Sequence, residues 1–152
     1  MHIIEQKSNK LVKKYNTNNP FLLCSYKNIL CLEQPLHEDI NGFAVFYDDV
    51  WVITINKDLS KSAKDFTCAH ELGHILLHKE YSNIYLNTKS HINRTDKDKD
   101  ADIFSALLLI PKITNITVNY NNINDLACNL NVPLNFLKLR LTFDGYTEFS
   151  KL

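Results

Sequence analysis

The sequence predicts an α+β fold in which a small, three-stranded and mostly antiparallel sheet packs on helices, and three observations predict it. Short runs rich in β-branched and aromatic residues, separated by turn residues, fill residues 29–55. Apolar residues at helical spacing follow over 61–78. A second helical run, apolar on most sides, covers 96–110 and ends at Pro111. One small sheet is therefore expected directly before two helices.

The size and charge of the chain limit the classes of protein to which it can belong. Its 152 residues suffice for one domain with its own core, and the sequence shows no repeat or linker. We expect a single domain over 1–152, with a helical C-terminal extension at about 112–152. Lys plus Arg and Asp plus Glu number 17 each, so no net charge draws the chain to nucleic acid or to an anionic membrane.

Targeting and cysteine patterns indicate a cytoplasmic protein. No apolar run reaches the roughly 20 residues of a membrane span, and the N-terminus lacks the apolar region of a secretory signal. The cysteines at 24, 31, 68 and 128 show no C-x-x-C spacing. In a reducing compartment we expect them to be free and mostly buried thiols.

The first half of the chain is predicted to contain two helices and three strands, at 4–15, 21–27, 29–33, 43–47 and 50–55. Asn41-Gly42 is typical of a turn before the second strand. Asp48-Asp49 predicts a tight turn after it, since Asp tolerates left-handed backbone angles. The third strand, if it lies at an edge of the sheet, is a candidate for binding an extended peptide by strand addition.

The second half is predicted to be mainly helical. Residues 79–95 are rich in Asn, Ser and Thr and predict irregular structure, and 112–124 predict a loop or weak strand. Two short helices are expected at 123–130 and 133–141, followed by a tail from Thr142 that could add a strand. These two helices have the spacing of a helix-turn-helix, but the few basic residues there argue against DNA binding.

The pentad His70-Glu71-Leu72-Gly73-His74 lies within the helix predicted at 61–78, for which Ser60 is the expected N-cap. Histidines four residues apart share one helix face, so both imidazoles can bind one zinc ion. Glu71 between them can then take a proton from a water that the ion activates. Gly73, which costs about 1 kcal/mol relative to alanine inside a helix, predicts that another backbone or a substrate comes close.

A third zinc ligand is expected on the next helix, because a catalytic zinc ion normally has three protein ligands. At 100° per residue, Asp98, Asp102 and Ser105 form one polar stripe on an otherwise apolar helix. Either Asp98 or Asp102 is then the third ligand, and the other orients a ligand from behind. The competing interpretation is a solvated, charged helix start. His78, one turn after His74, can cap the helix, contact a carboxylate or bind the metal.

Several other side chains are weaker candidates for the site. Cys68 lies two residues before His70 and is expected to point away from the metal. His91 could donate a hydrogen bond to a transition state, although a surface position is the simpler interpretation. The phenols of Tyr81, Tyr85 and Tyr146 could assist an oxyanion, and the sequence does not select among them.

These motifs, taken together, resemble the ImmA/IrrE metallo-endopeptidases over about residues 1–111. The matching segments occur in order: Asn19-Pro20-Phe21, Asn41-Gly42-Phe43, Ile53-Thr54-Ile55-Asn56, His70 to His78, and Ala101 to Pro111. The resemblance implies a compact, minimal zincin-like metalloprotease core with the metal site between two helices. It also implies that Asp98 is the third ligand, at a position where the family usually has Glu. Asp102 stands where the family often has Asn.

The resemblance implies a zinc-dependent endopeptidase that cleaves a helix-turn-helix repressor of a phage or mobile element. In this interpretation zinc is held by His70, His74 and Asp98, and Glu71 is the catalytic base. Asp102 and His78 support these ligands or replace one of them. The alternative is an anti-repressor module that binds a repressor without cutting it and has a structural or vestigial metal site. Neither interpretation requires a nucleic acid or a membrane as direct partner.

Overall fold

Helices and one sheet make up the parts of the chain that the computed structural model describes, namely residues 2–78, 84–88, 96–113 and 122–146, with the backbone alone at 2 and 84–88. The helices are α1 (His2–Tyr15), α2 (Pro20–Tyr26), α3 (Lys61–Leu77), α4 (Asp96–Leu109), α5 (Ile123–Leu130) and α6 (Leu134–Phe143). The strands are β1 (Leu30–Gln34), β2 (Ile40–Tyr47), β3 (Val50–Asn56) and β4 (Ile84–Thr88). The α+β class is confirmed, and the six helices and the first three strands that the sequence predicts are all present.

The sheet differs from the prediction in its size and in the position of one strand. Its order is β1-β3-β2-β4, so a fourth strand lies within the segment predicted to be irregular. β1 runs parallel to β3, whereas β2 is antiparallel to both β3 and β4. β3 therefore lies in the interior of the sheet and pairs on both sides. The hypothesis that β3 binds an extended peptide at a free edge is wrong.

The predicted turn at Asn41-Gly42 is also wrong, because both residues belong to β2. The chain turns earlier, at Glu38 and Asp39, and the pairing of β2 with β4 shifts register between Ile40 and Gly42. A Cβ on Gly42 would lie only 2.7 Å from the Thr54 carbonyl oxygen and from the Thr67 methyl group on α3. Glycine is required here because the β3 backbone and α3 both lie close to this point of the strand, not because the chain reverses.

The second predicted turn is confirmed, and the start of α2 has a side-chain cap. Asp48 and Asp49 have φ angles of 49° and 61° and join β2 to β3 as a tight turn. Asn19 caps α2, since its side-chain oxygen accepts hydrogen bonds from the backbone N–H groups of Phe21 and Leu22. Pro20 follows at the first helical position, where its missing N–H costs nothing.

The core divides into two clusters on either side of α3 and α4. The larger one packs α1, α2, α3 and α4 against the sheet, with members such as Leu23, Ile53 and Leu72 fully buried. The smaller one joins α5 and α6 to Phe66 and to Ile110 after α4. α3 therefore lies between the sheet on one side and α4 on another, which surrounds its central turns with protein.

The C-terminal segment is held by a buried ion pair as well as by apolar contacts. Arg140 Nε donates to Asp144 Oδ2 at 3.1 Å, and the same oxygen accepts a hydrogen bond from the Ile113 backbone N–H at 3.0 Å. Thr142 lies in α6, so the predicted extra strand does not begin there, and 147–152 lie outside the described residues. None of the helices in the described ranges combines the length and apolar character that a bilayer crossing needs.

Candidate metal centre

The histidine pentad lies in the buried middle of α3. Ser60 caps the helix as predicted, its hydroxyl accepting a hydrogen bond from the Ala63 backbone N–H at 3.2 Å. From Phe66 to Ile75 every residue is buried, so the polar side chains of the pentad are held away from bulk water. His70, Glu71 and His74 are exposed by only 4%, 0% and 2%. Polar groups at this depth need partners, or a ligand that serves as one.

The two imidazoles converge with one carboxylate from α4. The Nε2 atoms of His70 and His74 are 3.0 Å apart, and His74 Nε2 is 3.3 Å from Asp98 Oδ1. One donor atom from each of the three residues lies within 4.8 Å of the others. The side chain of Asp98 is 29% exposed, whereas that of His74 is 2% exposed. The cluster therefore reaches solvent on the Asp98 side.

Asp102 lies on the opposite side of His70 from this cluster. Its Oδ1 is 2.8 Å from His70 Nδ1, and both side chains are almost fully buried. A neutral imidazole that donates from Nδ1 to a carboxylate keeps the lone pair of Nε2, which is the atom facing His74. The structure thus separates the two carboxylates: Asp98 groups with the histidine Nε2 atoms, and Asp102 contacts the other ring nitrogen of His70.

Gly73 permits the close packing that brings α4 to the histidines. A Cβ at this position would lie 3.2 Å from Ala101 Cα and 3.2 Å from Phe104 Cδ1. Ala101 precedes Asp102, so the point of closest approach lies beside the carboxylate that contacts His70. The predicted close approach of another backbone at Gly73 is confirmed, and that backbone is α4.

Glu71 is the most unusual polar side chain of the site. It is fully buried, and neither carboxylate oxygen has a hydrogen-bond partner among the described residues. Burial raises the pKa of Glu71 to about 7, a change that the charge on His70 opposes and that on Asp98 reinforces. A buried carboxyl without partners is costly for stability, and such groups are found mainly where chemistry or a ligand requires them.

The pKa values of the two histidines shift in opposite directions. Burial, and then the charge of His70, lowers the pKa of His74 to about 3, so His74 is neutral at ordinary pH. Burial also lowers the pKa of His70, but the Asp102 hydrogen bond and the nearby carboxylates outweigh this effect and raise it overall. A neutral imidazole is the form that binds a metal ion.

The remaining candidates lie outside this cluster. His78 is the C-cap residue of α3, and its Nε2 lies 3.7 Å from Asp100 Oδ2, a residue that the helical wheel places toward solvent. The hydroxyl of Tyr146 points to the Ile113 carbonyl oxygen at 3.5 Å, in the C-terminal cluster. Cys68 groups with two other cysteines, as described below. Tyr81, His91 and the side chain of Tyr85 lie outside the described residues.

The donor set fits a metal ion with nitrogen and oxygen ligands. A tetrahedral zinc ion at its usual bond lengths separates two ligand atoms by roughly 3.3 Å. The two measured separations between donor atoms are 3.0 and 3.3 Å. The buried Glu71 carboxylate, for which the described residues supply no partner, adds a second indication that a ligand belongs beside the histidines.

Comparison with known proteins gives an independent result. The sequence model of a family described as the IrrE N-terminal-like domain, Peptidase_M78, matches residues 24–142. Uncharacterized immunity region protein 2 of Bacillus phage phi105 is 30% identical over 142 residues, covering 91% of this chain and 89% of that protein. Metallopeptidase ImmA of Bacillus subtilis (strain 168) is 30% identical over 137 residues, covering 86% of this chain and 79% of that protein. The matched family range contains all the residues of the cluster.

Proposed function

Since the chain belongs to the IrrE N-terminal-like domain family, Peptidase_M78, we propose that it is a zinc-dependent endopeptidase that cuts a helix-turn-helix repressor of a phage or mobile element. Membership of this family and similarity to a named metallopeptidase indicate a metallopeptidase. The proposal goes further in three respects: the ion is zinc, the substrate is a repressor, and the location is the cytoplasm, where such repressors bind DNA. So does a single metallopeptidase domain over 1–152, with 112–152 as its helical extension.

One observation carries the proposal. Three metal-binding side chains converge from two helices, and directly beside them lies a buried carboxylate for which the described residues supply no partner. A purely structural metal site normally closes its coordination with a fourth protein ligand and needs no adjacent base. Three ligands with an adjacent Glu71 are instead the composition of a hydrolytic site.

Each residue of the site has a separate role in this proposal. His70 and His74 would hold zinc through their Nε2 atoms and Asp98 through its carboxylate, while Asp102 fixes the orientation of the His70 ring. When bound, zinc supplies Lewis-acid polarisation of a carbonyl and lowers the pKa of water. His78 is left to close the end of α3 beside Asp100 rather than to bind the ion.

Glu71 is the group that moves protons. One of its carboxylate oxygens accepts a proton from the attacking water and then delivers it to the amide nitrogen of the departing chain. Burial keeps this carboxyl from being solvated, which places its pKa close to the pH at which it must exchange protons. Because Glu71 lies on α3 between the two histidines, it stays beside the metal ligands during both proton transfers.

The name of one relative supports a repressor as the substrate, and the sheet suggests how the substrate docks. One relative is named for a phage immunity region, where a repressor is a natural target. β4 contacts α3 and pairs with β2 along one side only in the described part of the chain. An extended segment of substrate can therefore add to the other side of β4, which replaces the rejected role of β3.

The test compares cleavage and metal content in matched variants. The purified chain is incubated with zinc and with the helix-turn-helix repressor encoded nearest to its own gene. Products are followed by gel electrophoresis and mass spectrometry. Glu71→Gln is expected to retain stoichiometric zinc but lose cleavage by at least 100-fold, whereas His74→Ala loses both. Asp98→Asn should lose zinc while Asp100→Asn, one half-turn away, keeps both zinc and cleavage.

The outcomes separate the proposal from its alternative. Stable binding of the repressor without cleavage, in wild type and Glu71→Gln alike, would favour an anti-repressor module with a structural or vestigial metal site. Full cleavage by Glu71→Gln would remove Glu71 as the base. Failure of any transition metal to bind at one equivalent would end the hydrolase interpretation.

A further inference from the structure

Three cysteines that are distant in sequence meet in the fold on another side of α3. Cys24 lies on α2, Cys31 on β1 and Cys68 on α3. The Sγ atoms of Cys24 and Cys68 are 3.8 Å apart, and all three sulfur atoms lie within 4.8 Å of one another. Cys24 and Cys68 are fully buried, and Cys31 is half-buried. All three are free thiols, so each is available as a ligand.

We propose that Cys24, Cys31 and Cys68 form a second metal site, a trithiolate that binds one soft, thiophilic metal ion. Thiolates bound to one ion at about 2.3 Å lie roughly 4 Å from one another, which matches the range of separations observed. A set made only of sulfur ligands selects soft ions such as Cu(I), Cd(II) or zinc over hard ones. On binding, the three S–H groups release their protons to solvent as three metal–sulfur bonds form, without oxidation or reduction.

This site is distinct from the histidine centre in both ligands and position. Cys68 precedes His70 by two residues, which on a helix turns its side chain roughly 200° away. Its partners come from α2 and β1, whereas the partners of the histidines come from α4. β1 is an edge strand, so the half-buried Cys31 gives an ion a path from solvent. An ion held there ties α2 and β1 to the helix that carries His70 and His74.

Cadmium is the probe, because its bonds to thiolates give a charge-transfer absorption that its bonds to nitrogen and oxygen do not. Full-length, metal-free, reduced protein is titrated with Cd(II) while ultraviolet absorption and total bound metal are measured. We expect one equivalent of thiolate-bound cadmium per chain. Cys31→Ala should lose that band, and the exposed Cys128→Ala should retain it, since Cys128 lies on α5 away from the cluster.

A second measurement needs no variant of a buried residue. In the wild-type protein, bound Cd(II) should slow alkylation of Cys31 at least tenfold and leave that of Cys128 unchanged, as read by peptide mass spectrometry. His74→Ala should keep the thiolate band even if it loses metal from the histidine centre, so the two proposals fail separately. Absence of the band at one equivalent, an equal band in Cys31→Ala, or formation of a Cys24–Cys68 disulfide with no cadmium bound would overturn the trithiolate site.

Discussion

Asp98 and Asp102 occupy neighbouring turns of one helix face and nevertheless contact nitrogen atoms of different histidines. The Asp98 side chain is 29% exposed and approaches His74 Nε2, while the Asp102 side chain is 3% exposed and contacts His70 Nδ1. The difference follows from depth, because Asp102 lies next to Ala101, where α4 comes closest to Gly73. The outer carboxylate is open to solvent, whereas the inner one is buried against the imidazole, whose ring we propose it orients.

The role of Asp102 can be measured as metal affinity. Asp102→Ala removes the acceptor of the His70 Nδ1 proton, and we expect zinc to bind about 10- to 100-fold more weakly. Asp102→Asn keeps an oxygen that can accept the hydrogen bond from His70 Nδ1–H, so a smaller loss of zinc affinity is expected. Competition with a chromogenic chelator gives both constants, and wild-type affinity in Asp102→Ala would contradict the orienting role.

At the residue scale, spacing alone predicted the histidine pair and Glu71 but left the choice between the two aspartates open, and only the family resemblance implied Asp98 as the ligand. The pair follows from helix geometry alone, since a spacing of four residues fixes a common face. The aspartates share a stripe at 100° steps, and only the distance between α3 and α4 along their contact distinguishes them. That distance depends on Gly73 and Ala101, whose contact is a tertiary feature.

At the scale of elements, the α3–α4 contact determines whether the site assembles. Gly73→Ala improves helix propensity by about 1 kcal/mol, but the new methyl group meets the Ala101 backbone and Phe104 at 3.2 Å. Overpacking of this kind costs about 1–3 kcal/mol, so a net loss of about 0–2 kcal/mol in the free energy of unfolding is expected. The larger effect is on geometry, because α4 must move away from the histidines.

We therefore expect Gly73→Ala to weaken zinc binding by at least tenfold while the protein stays folded, with a loss of stability of at most about 2 kcal/mol. Chelator competition and urea unfolding of the metal-free protein measure the two effects separately. Ala69→Gly, at a buried position of the same helix one turn earlier, is a control that should lower stability and leave zinc affinity nearly unchanged. The opposite pattern, with Gly73→Ala unfolded or with its zinc affinity intact, would contradict this account.

The strands show where local sequence signals stop being sufficient. Asp48-Asp49 forms the predicted turn because its backbone angles are a local property of those residues. Asn41-Gly42 has an equally strong turn signal, yet the glycine there serves the contact with Thr67 on α3. β4 was missed because its five residues lie within a polar stretch, and an edge strand requires pairing on one side only.

At the scale of the molecule, residues far apart in sequence are brought together in ways that spacing does not reveal. The trio Cys24, Cys31 and Cys68 has no metal-ligand spacing, because each member comes from a different element. The C-terminal helices were predicted as elements, but their attachment was not. Phe136 of α6 stacks on Phe66 of α3 at 4.4 Å between ring centroids, which joins the extension to the helix that carries the histidines.

The buried pair Arg140–Asp144 is expected to hold the end of α6 against Ile113, the residue that closely follows α4. Removal of one partner from a buried pair typically costs about 3–5 kcal/mol, because it leaves a charge without compensation. Arg140→Met should lose close to that amount of unfolding free energy in urea. Lys61→Met is the matched control, since it breaks a pair of the same i,i+4 spacing whose lysine is 86% exposed, with an expected loss of only about 0.3–0.5 kcal/mol. Equal, small losses in the two variants would mean that the apolar contacts of α6 alone attach the extension.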